Sequence, residues 1–215
     1  LSFLSQYSNA HLIIDEVQKA PDLFDEIKSI VDDRRIPGQF LLLGSTEFSH
    51  ESQIRESLTG RLSRLRLFPF NLSEVKKLSV NPQRSFPYIL GKSRVRRSDL
   101  MEYLENGGFP GIFLVRNAIE QKALFEDWIN LTVERDIHQF KKRKLDSQLA
   151  YGILKAIARL EKPNAVSICR ELQATPKQVQ SHIEVLKSLF VIFEILPSSA
   201  STGKPLYFLT DTGLL

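Results

Sequence analysis

Two short apolar runs, "HLII" at 11–14 and "QFLLL" at 39–43, restrict what this chain can fold into more than anything else in it. Between them, "VQKAPDLFDEIKSIVDD" places Val17, Leu23, Phe24, Ile27, Ile30 and Val31 at helix-like spacing. Pro37-Gly38 then signals a turn, and Gly44 ends the second run. Strand, amphipathic helix, strand is a βαβ unit, which favours a parallel sheet covered by helices on both faces. The N-terminal stretch is therefore expected to be α/β.

In an open α/β sheet, ligands bind outside the carboxyl ends of the strands. Asp15 and Glu16 follow the first run and Ser45 and Thr46 follow the second, so all four belong to one edge. In a P-loop nucleotidase an acid in the place of Asp15 holds Mg²⁺, the adjacent Glu16 orients the attacking water, and a polar residue such as Ser45 or Thr46 senses the γ-phosphate. The plainer reading is that the two acids open a helix, whose macrodipole favours negative charge at that end. Further on, "SHESQIRESL" reads as a helix broken at Gly60, and "SRLRLFPF" alternates basic and apolar residues as a half-buried strand does. Arg61 or Arg64, presented from that rim in cis or by a neighbouring subunit, is placed to stabilise charge on a transferring phosphoryl group. The competing reading makes Arg61, Arg64 and Arg66 the exposed face of a strand.

From about Leu72 the texture turns helical, which divides the chain into residues 1–72, 73–145 and 146–215. The middle stretch holds "SDLMEYLENGG", with Ser98 as N-cap and Gly107-Gly108 as stop, and the long amphipathic "AIEQKALFEDWINLTVERDIHQF". The last stretch reads as three helices, "YGILKAIARLEK", "AVSICREL" and "TPKQVQSHIEVLKSLF", followed by the strands "VIFEILP" and "KPLYFLTD". That is the order of a winged helix. Thr175 to Gln178 form a capping box with Pro176 at the first helical position, and Val179, Ile183, Leu186 and Phe190 line the inward stripe. On the outward side Lys177, Gln180, Ser181 and Lys187 can touch phosphates or base edges, whereas Glu184 among them repels phosphate. The expected partner of this face is DNA or another protein.

Composition excludes several classes. Cys169 is the single cysteine and reads as a buried, inert helix position that cannot form an internal disulfide. His11, His50, His138 and His182 have no partner at metal-ligand spacing, and there is no G-x-S-x-G elbow. No apolar run reaches the roughly eighteen residues of a membrane span and no leader is visible, so the default location is cytoplasmic. A net charge of +4 is compatible with a nucleic-acid partner without requiring one, and the basic run "FKKRKLD" reads as a solvated linker.

Taken in order, "LIIDEVQKAPDLFDEIKSIVD", "GQFLLLGSTEF", "ESLTGRLSRLRLFPFNLSE", "YLENGGFPG" and "YFLTDTGLL" resemble the bacterial and archaeal AAA-superfamily ATPases that pair an ATPase core with a C-terminal domain of unknown function, the DUF4143 type. The resemblance implies a partial AAA+-like P-loop sheet, a helical segment and a winged helix, with ATP and Mg²⁺ as cofactors. It further implies Mg²⁺ coordination by Asp15, water activation by Glu16, sensing by Ser45 and Thr46, and a finger role for Arg61. A finger acting in trans requires a ring or dimer. Gln18 lies inside the "IDEVQ" motif without an assigned role, and Leu43 stands where the family's sensor commonly has Thr.

One part of that pattern is missing. A Walker A loop reads G-x-x-x-x-G-K-[ST], so that backbone N–H groups wrap the phosphates, and "PYILGKSR" matches only its end, with Phe86 in place of the first glycine. In the family the loop precedes the D-E strand, and it is expected upstream of Leu1, where the chain opens in mid-pattern. The chain is thus expected to be the C-terminal portion of an ATP-hydrolysing protein, inactive without that loop. The alternatives are a non-catalytic winged-helix DNA-binding or adaptor protein and, from the D-E-x-Q and G-R-x-x-R strings, a helicase-like motor.

Overall fold

The computed structural model describes residues 4–7, 10–47, 59–78, 95–140, 145–198 and 202–214. The expected helix at 49–58, the "PYILGKSR" segment and residues 141–144 of the basic run lie outside them. The chain divides into two compact units, residues 1–66 with 188–190, and residues 67–187 with 191–215.

In the first unit β1 (Leu12–Ile14) pairs in parallel with β2 (Phe40–Leu42), in the register Leu12 to Phe40 and Ile14 to Leu42. The crossover is α1 (Leu23–Asp33), whose first turn carries Asp25 and Glu26 against the helix's positive end. Its buried Phe24 and Ile27 meet Val17 and Leu4, and Leu12, Ile14, Phe40 and Leu42 close the same core from the sheet. This α1 layer covers one sheet face. On the other face Ile13 is 70% exposed and Leu41 49%, so the described residues do not supply the second cover expected for a parallel sheet.

The alternating "SRLRLFPF" does not form the expected strand. Residues 62–70 carry no regular element, and no strand among the described residues pairs with them. The apolar positions of the alternation point outward, with Leu65 90% and Leu67 92% exposed, while Arg66 is half-buried. Alternation marks a strand only where a neighbouring strand takes up the backbone hydrogen bonds.

The second unit begins with the single turn α2 (Leu72–Val75), capped reciprocally by Asn71 and Glu74. In α3 (Arg97–Asn106) the cap is Arg96 rather than the expected Ser98, because Asp99 reaches back to accept the Arg96 N–H at 2.9 Å. The Arg96 guanidinium 3.3 Å away, then that backbone bond and Lys76 at 3.2 Å, hold the Asp99 carboxyl down at about 2. Gly107 stops the helix as expected, and α4 (Ala118–Glu134) starts from an Asn117 cap. Three helices follow, α5 (Ser147–Arg159), α6 (Ala165–Leu172) and α7 (Pro176–Ser188). Next, β3 (Ile192–Ile195) and β4 (Leu206–Leu209) pair antiparallel, stacking Phe193 on Phe208.

The expected Thr175–Gln178 capping box is present, with reciprocal bonds of 3.1 and 3.3 Å. The buried side of α7 is wider than the expected stripe. Val179, Ile183 and Leu186 are buried together with Val185 and His182 of the same helix, while Phe190 is half-buried past the helix end in the left-handed region. His182 donates from Nδ1 to the Gln178 carbonyl at 2.7 Å and accepts the Asp146 N–H at 2.8 Å, tying α7 to the cap of α5. Cys169 is half-buried rather than buried.

Two segments far apart in sequence lock together at Asp211, which is 4% exposed. Its carboxylate accepts the N–H of Gly108 at 2.7 Å and that of Gly213 at 2.8 Å, and burial pushes its pKa up against the pull of those donors. The Gly108 carbonyl accepts the Phe70 N–H at 2.8 Å, and the Phe70 carbonyl accepts the Tyr103 hydroxyl at 2.9 Å. The fit leaves no room for side chains: a Cβ on Gly108 would lie 1.9 Å from the Phe70 carbonyl oxygen, and one on Gly213 2.2 Å from the Phe125 ring. The glycines read as a helix stop are one half of a clasp, and "TDTG" is the other.

The G108A substitution is expected to lower unfolding free energy by about 3 kcal/mol or more, because the obstacle is backbone that cannot rotate away. G111A, which meets nothing within 4 Å, is expected to change it by no more than about 0.5 kcal/mol. Urea unfolding followed by circular dichroism measures both.

Candidate functional site

The parallel pairing continues past the strands. The Leu43 N–H donates to the Ile14 carbonyl at 2.8 Å and the Val17 N–H to the Leu43 carbonyl at 3.1 Å. These two bonds hold the chain after β1 beside the chain after β2, which brings the D-E pair and Ser45 to one edge as expected. Val17, 1% exposed, anchors a one-turn 3-10 helix over Val17–Lys19 into the α1 core.

Asp15 is exposed, and its Oδ1 accepts the Glu16 N–H at 2.9 Å. Glu16 lies in the left-handed region at φ 51°, a conformation that a residue with a Cβ adopts at a cost of about 1–2 kcal/mol. The acids do precede a helix, with Glu16 in the N-cap position of the one-turn 3-10 helix but without a side-chain cap bond, whereas α1 begins only at Leu23.

Gln18 is the residue for which the sequence offered no role. Its Nε2 donates to Glu16 Oε2 at 3.0 Å and to Ser45 Oγ at 3.3 Å, spanning the acid and the hydroxyl. Lys19 Nζ lies 3.1 Å from the same Glu16 oxygen. Ser45 is exposed at this edge, whereas Thr46 is buried.

The arginines go elsewhere. Arg61 forks onto Asp32, Nε to Oδ1 at 2.5 Å and Nη2 to Oδ2 at 2.9 Å, with Nη1 on the Thr59 carbonyl. Asp32 is in the last turn of α1, which runs back from the acidic edge for about 16 Å at 1.5 Å per residue. Arg61 is thus held at the far end of the crossover helix from Asp15 and Glu16. Arg64 pairs with Glu47 at 3.2 Å.

On α7, Lys177 and Gln180 are exposed and Ser181 is half-buried. Gln180 bonds Glu184 at 3.4 Å, and Lys187 is paired with Glu194 of β3. Of the two lysines expected to meet phosphate, one already has a carboxylate. Among the described residues no cluster of three or more His, Cys, Asp or Glu side chains forms a metal cage, and no helix is long and apolar enough to cross a membrane.

This combination, a parallel βαβ edge bearing Asp-Glu and a hydroxyl, followed by a helical region closed by a hairpin, is that of an AAA-type protein with an appended C-terminal domain. Residues 1–76 match the family model of an AAA domain, and the chain belongs to the family of the domain of unknown function DUF8612, whose model matches residues 97–215. Similar proteins include "Uncharacterized protein Rv2008c" of Mycobacterium tuberculosis and "Uncharacterized protein Mb2031c" of Mycobacterium bovis. Each is 28% identical over 211 residues, 95% of this chain and 43% of theirs. The chain thus spans less than half the length of these curated relatives. No solved structure matches it.

The Arg61 fork holds the Asp32 carboxyl below its ordinary value of 3.8. A lowered folded value means that the pair stabilises the fold above 3.8 and ceases to do so as pH falls through the folded value. Urea midpoints measured from about pH 5 down to about pH 2 are expected to fall less steeply in R61M than in the wild type.

Proposed function

We propose that this chain contributes the metal-binding and water-activating edge of an ATP-hydrolysing AAA-type protein. The observation that carries the reading is the single Gln18 amide spanning Glu16 and Ser45, since it sets the acid and the hydroxyl one side chain apart at the carboxyl edge of a parallel pair. A Mg²⁺ ion held by one carboxylate, waters and substrate phosphates suits Asp15, whose Oδ2 accepts no hydrogen bond from the described residues. Bound there, the ion would neutralise charge on the β- and γ-phosphates. Asp15 is the residue that would hold it. Glu16 would accept the proton of the attacking water, and the Ser45 hydroxyl would donate to the γ-phosphate. Thr46, being buried, serves that edge by packing.

Arg61 cannot serve its own edge from the far end of α1, so a finger role for it is a role in trans, in a homo-oligomer. Asp32 then holds the guanidinium extended until a neighbouring subunit's nucleotide competes for it. ATP, Mg²⁺ and a further copy of the chain are the partners of this unit. Residues 1–215 contain no G-x-x-x-x-G-K-[ST] string, so turnover is tested in the full-length protein. The E16Q variant of that protein is expected to lose turnover by about 10²-fold or more while ATP affinity stays within a few-fold. Residues 1–215 alone are expected to show no ATP binding by calorimetry.

For residues 146–215 we keep the winged-helix reading, supported by the order of three helices and an antiparallel hairpin. A protein partner suits the outward face of α7 better than DNA, because Glu194 neutralises Lys187 and Glu184 adds negative charge beside Gln180. Duplex DNA binding is expected to be weak and shallow in its salt dependence, and to strengthen in the double variant E184Q/E194Q, which frees Lys187. Fluorescence anisotropy on labelled duplex at two salt concentrations checks this; tight, salt-steep binding by the wild type would restore the DNA reading.

A further inference from the structure

We infer that Gln18 is a positioning residue that links Ser45 to Glu16 and fixes which oxygen of Glu16 faces the reaction. The inference rests on the reading above, that Glu16 and Ser45 flank a γ-phosphate. A primary amide has two N–H groups, and the two acceptors of Gln18 Nε2 are Glu16 Oε2 at 3.0 Å and Ser45 Oγ at 3.3 Å. The same Glu16 oxygen takes the Lys19 ammonium at 3.1 Å. Oε2 is therefore occupied twice, which leaves Oε1 as the oxygen to take a proton from water. Ser45 accepts from Gln18 through its oxygen, so its own O–H stays available to donate to an anion. The hydrogen bonds then run in one direction, from the Gln18 amide to Ser45 and from Ser45 outward.

Two further observations mark Gln18 as placed for this purpose. Its Oε1 is buried with no hydrogen-bond partner among the described residues, and rotating the amide would turn that oxygen onto the Glu16 carboxylate, so the carboxylate fixes which way the amide faces. Glu16, two residues earlier, is held at positive φ, so the turn carries backbone strain at the acid the link ends on. The turn is also fastened to the sensor segment, because the Val17 N–H bonds the Leu43 carbonyl two residues before Ser45. A displacement at Ser45 is thereby transmitted to the Glu16 carboxylate by a side-chain bond and a backbone bond together.

The first test uses residues 1–215 without nucleotide and reads the Gln18 side-chain amide resonance by ¹⁵N NMR, assigned by its loss in Q18A. The resonance is expected to shift in S45A and again in E16A, and an unmoved resonance in both overturns the link. The second test uses the full-length protein. Q18A is expected to lower kcat about tenfold to a hundredfold with KM for ATP nearly unchanged, as loss of an orienting hydrogen bond does. The double variant Q18A/S45A should be no slower than the slower single variant. Wild-type turnover in Q18A, or fully additive losses in the double variant, removes this inference alone. A full-length protein that neither binds nor hydrolyses ATP removes the reading beneath it, whatever the first test shows.

Discussion

The parallel pairing of β1 with β2 is the constraint on which the N-terminal unit depends. Five residues at the ends of the two strands, Ile14, Val17, Leu43, Ser45 and Glu16, are arranged by two backbone hydrogen bonds that prolong the ladder beyond the strands themselves. Because side chains alternate faces, a slip of one residue would turn Leu12 and Ile14 out of the α1 core and put Ile13 into it. The same slip would separate Gln18 from Ser45. Core and site are therefore secured by one register.

In the second unit the corresponding constraint is electrostatic. Asp211 is an acid taken out of water, which is tolerable because the backbone N–H groups of Gly108, from the middle of the chain, and of Gly213, two residues on, satisfy it. A Cβ on Gly107 would strike the Asp211 carboxylate itself, one on Gly108 the Phe70 carbonyl and one on Gly213 the Phe125 ring, so the clasp closes only with glycine at these places. The bond joins the end of α3 to the chain after β4 across 103 residues, and Tyr103 and Phe70 complete the same knot. Three of the five stretches that carry the family resemblance meet here, so part of that resemblance reflects the requirements of a clasp and not of a reaction.

Ion pairing redirects several residues whose type alone suggests contact with phosphate. Arg61 is spoken for by Asp32, Arg64 by Glu47 and Lys187 by Glu194. The two arginine pairs are exposed, weak and open readily to a better anion, whereas the Lys187–Glu194 pair is part-buried. What the pairs decide is direction. Arg61 faces away from its own Asp-Glu edge, and the outward side of α7 carries less positive charge than its lysines suggest.

Much of this was already present in the sequence. Apolar periodicity predicted β1, α1, β2 and the three helices and hairpin of the last stretch, since those patterns depend only on which face meets a core. The carboxyl-edge placement of Asp15, Glu16 and Ser45 followed from the βαβ order, and the Thr175 capping box from local chemistry. Where the sequence misled, the missing quantity was a partner distant in the chain. "SRLRLFPF" alternates but finds no neighbouring strand; the Ser98 cap is the one local misreading, because Asp99 bonds back to Arg96 three residues earlier. The fork of Arg61 on Asp32, the pairing of Lys187, the burial of His182 and the Asp211 clasp each join residues that no local pattern connects. Gln18 shows the division most clearly: the sequence places it in a motif, but only the packing of two strand ends gives its amide two acceptors and leaves its carbonyl with none.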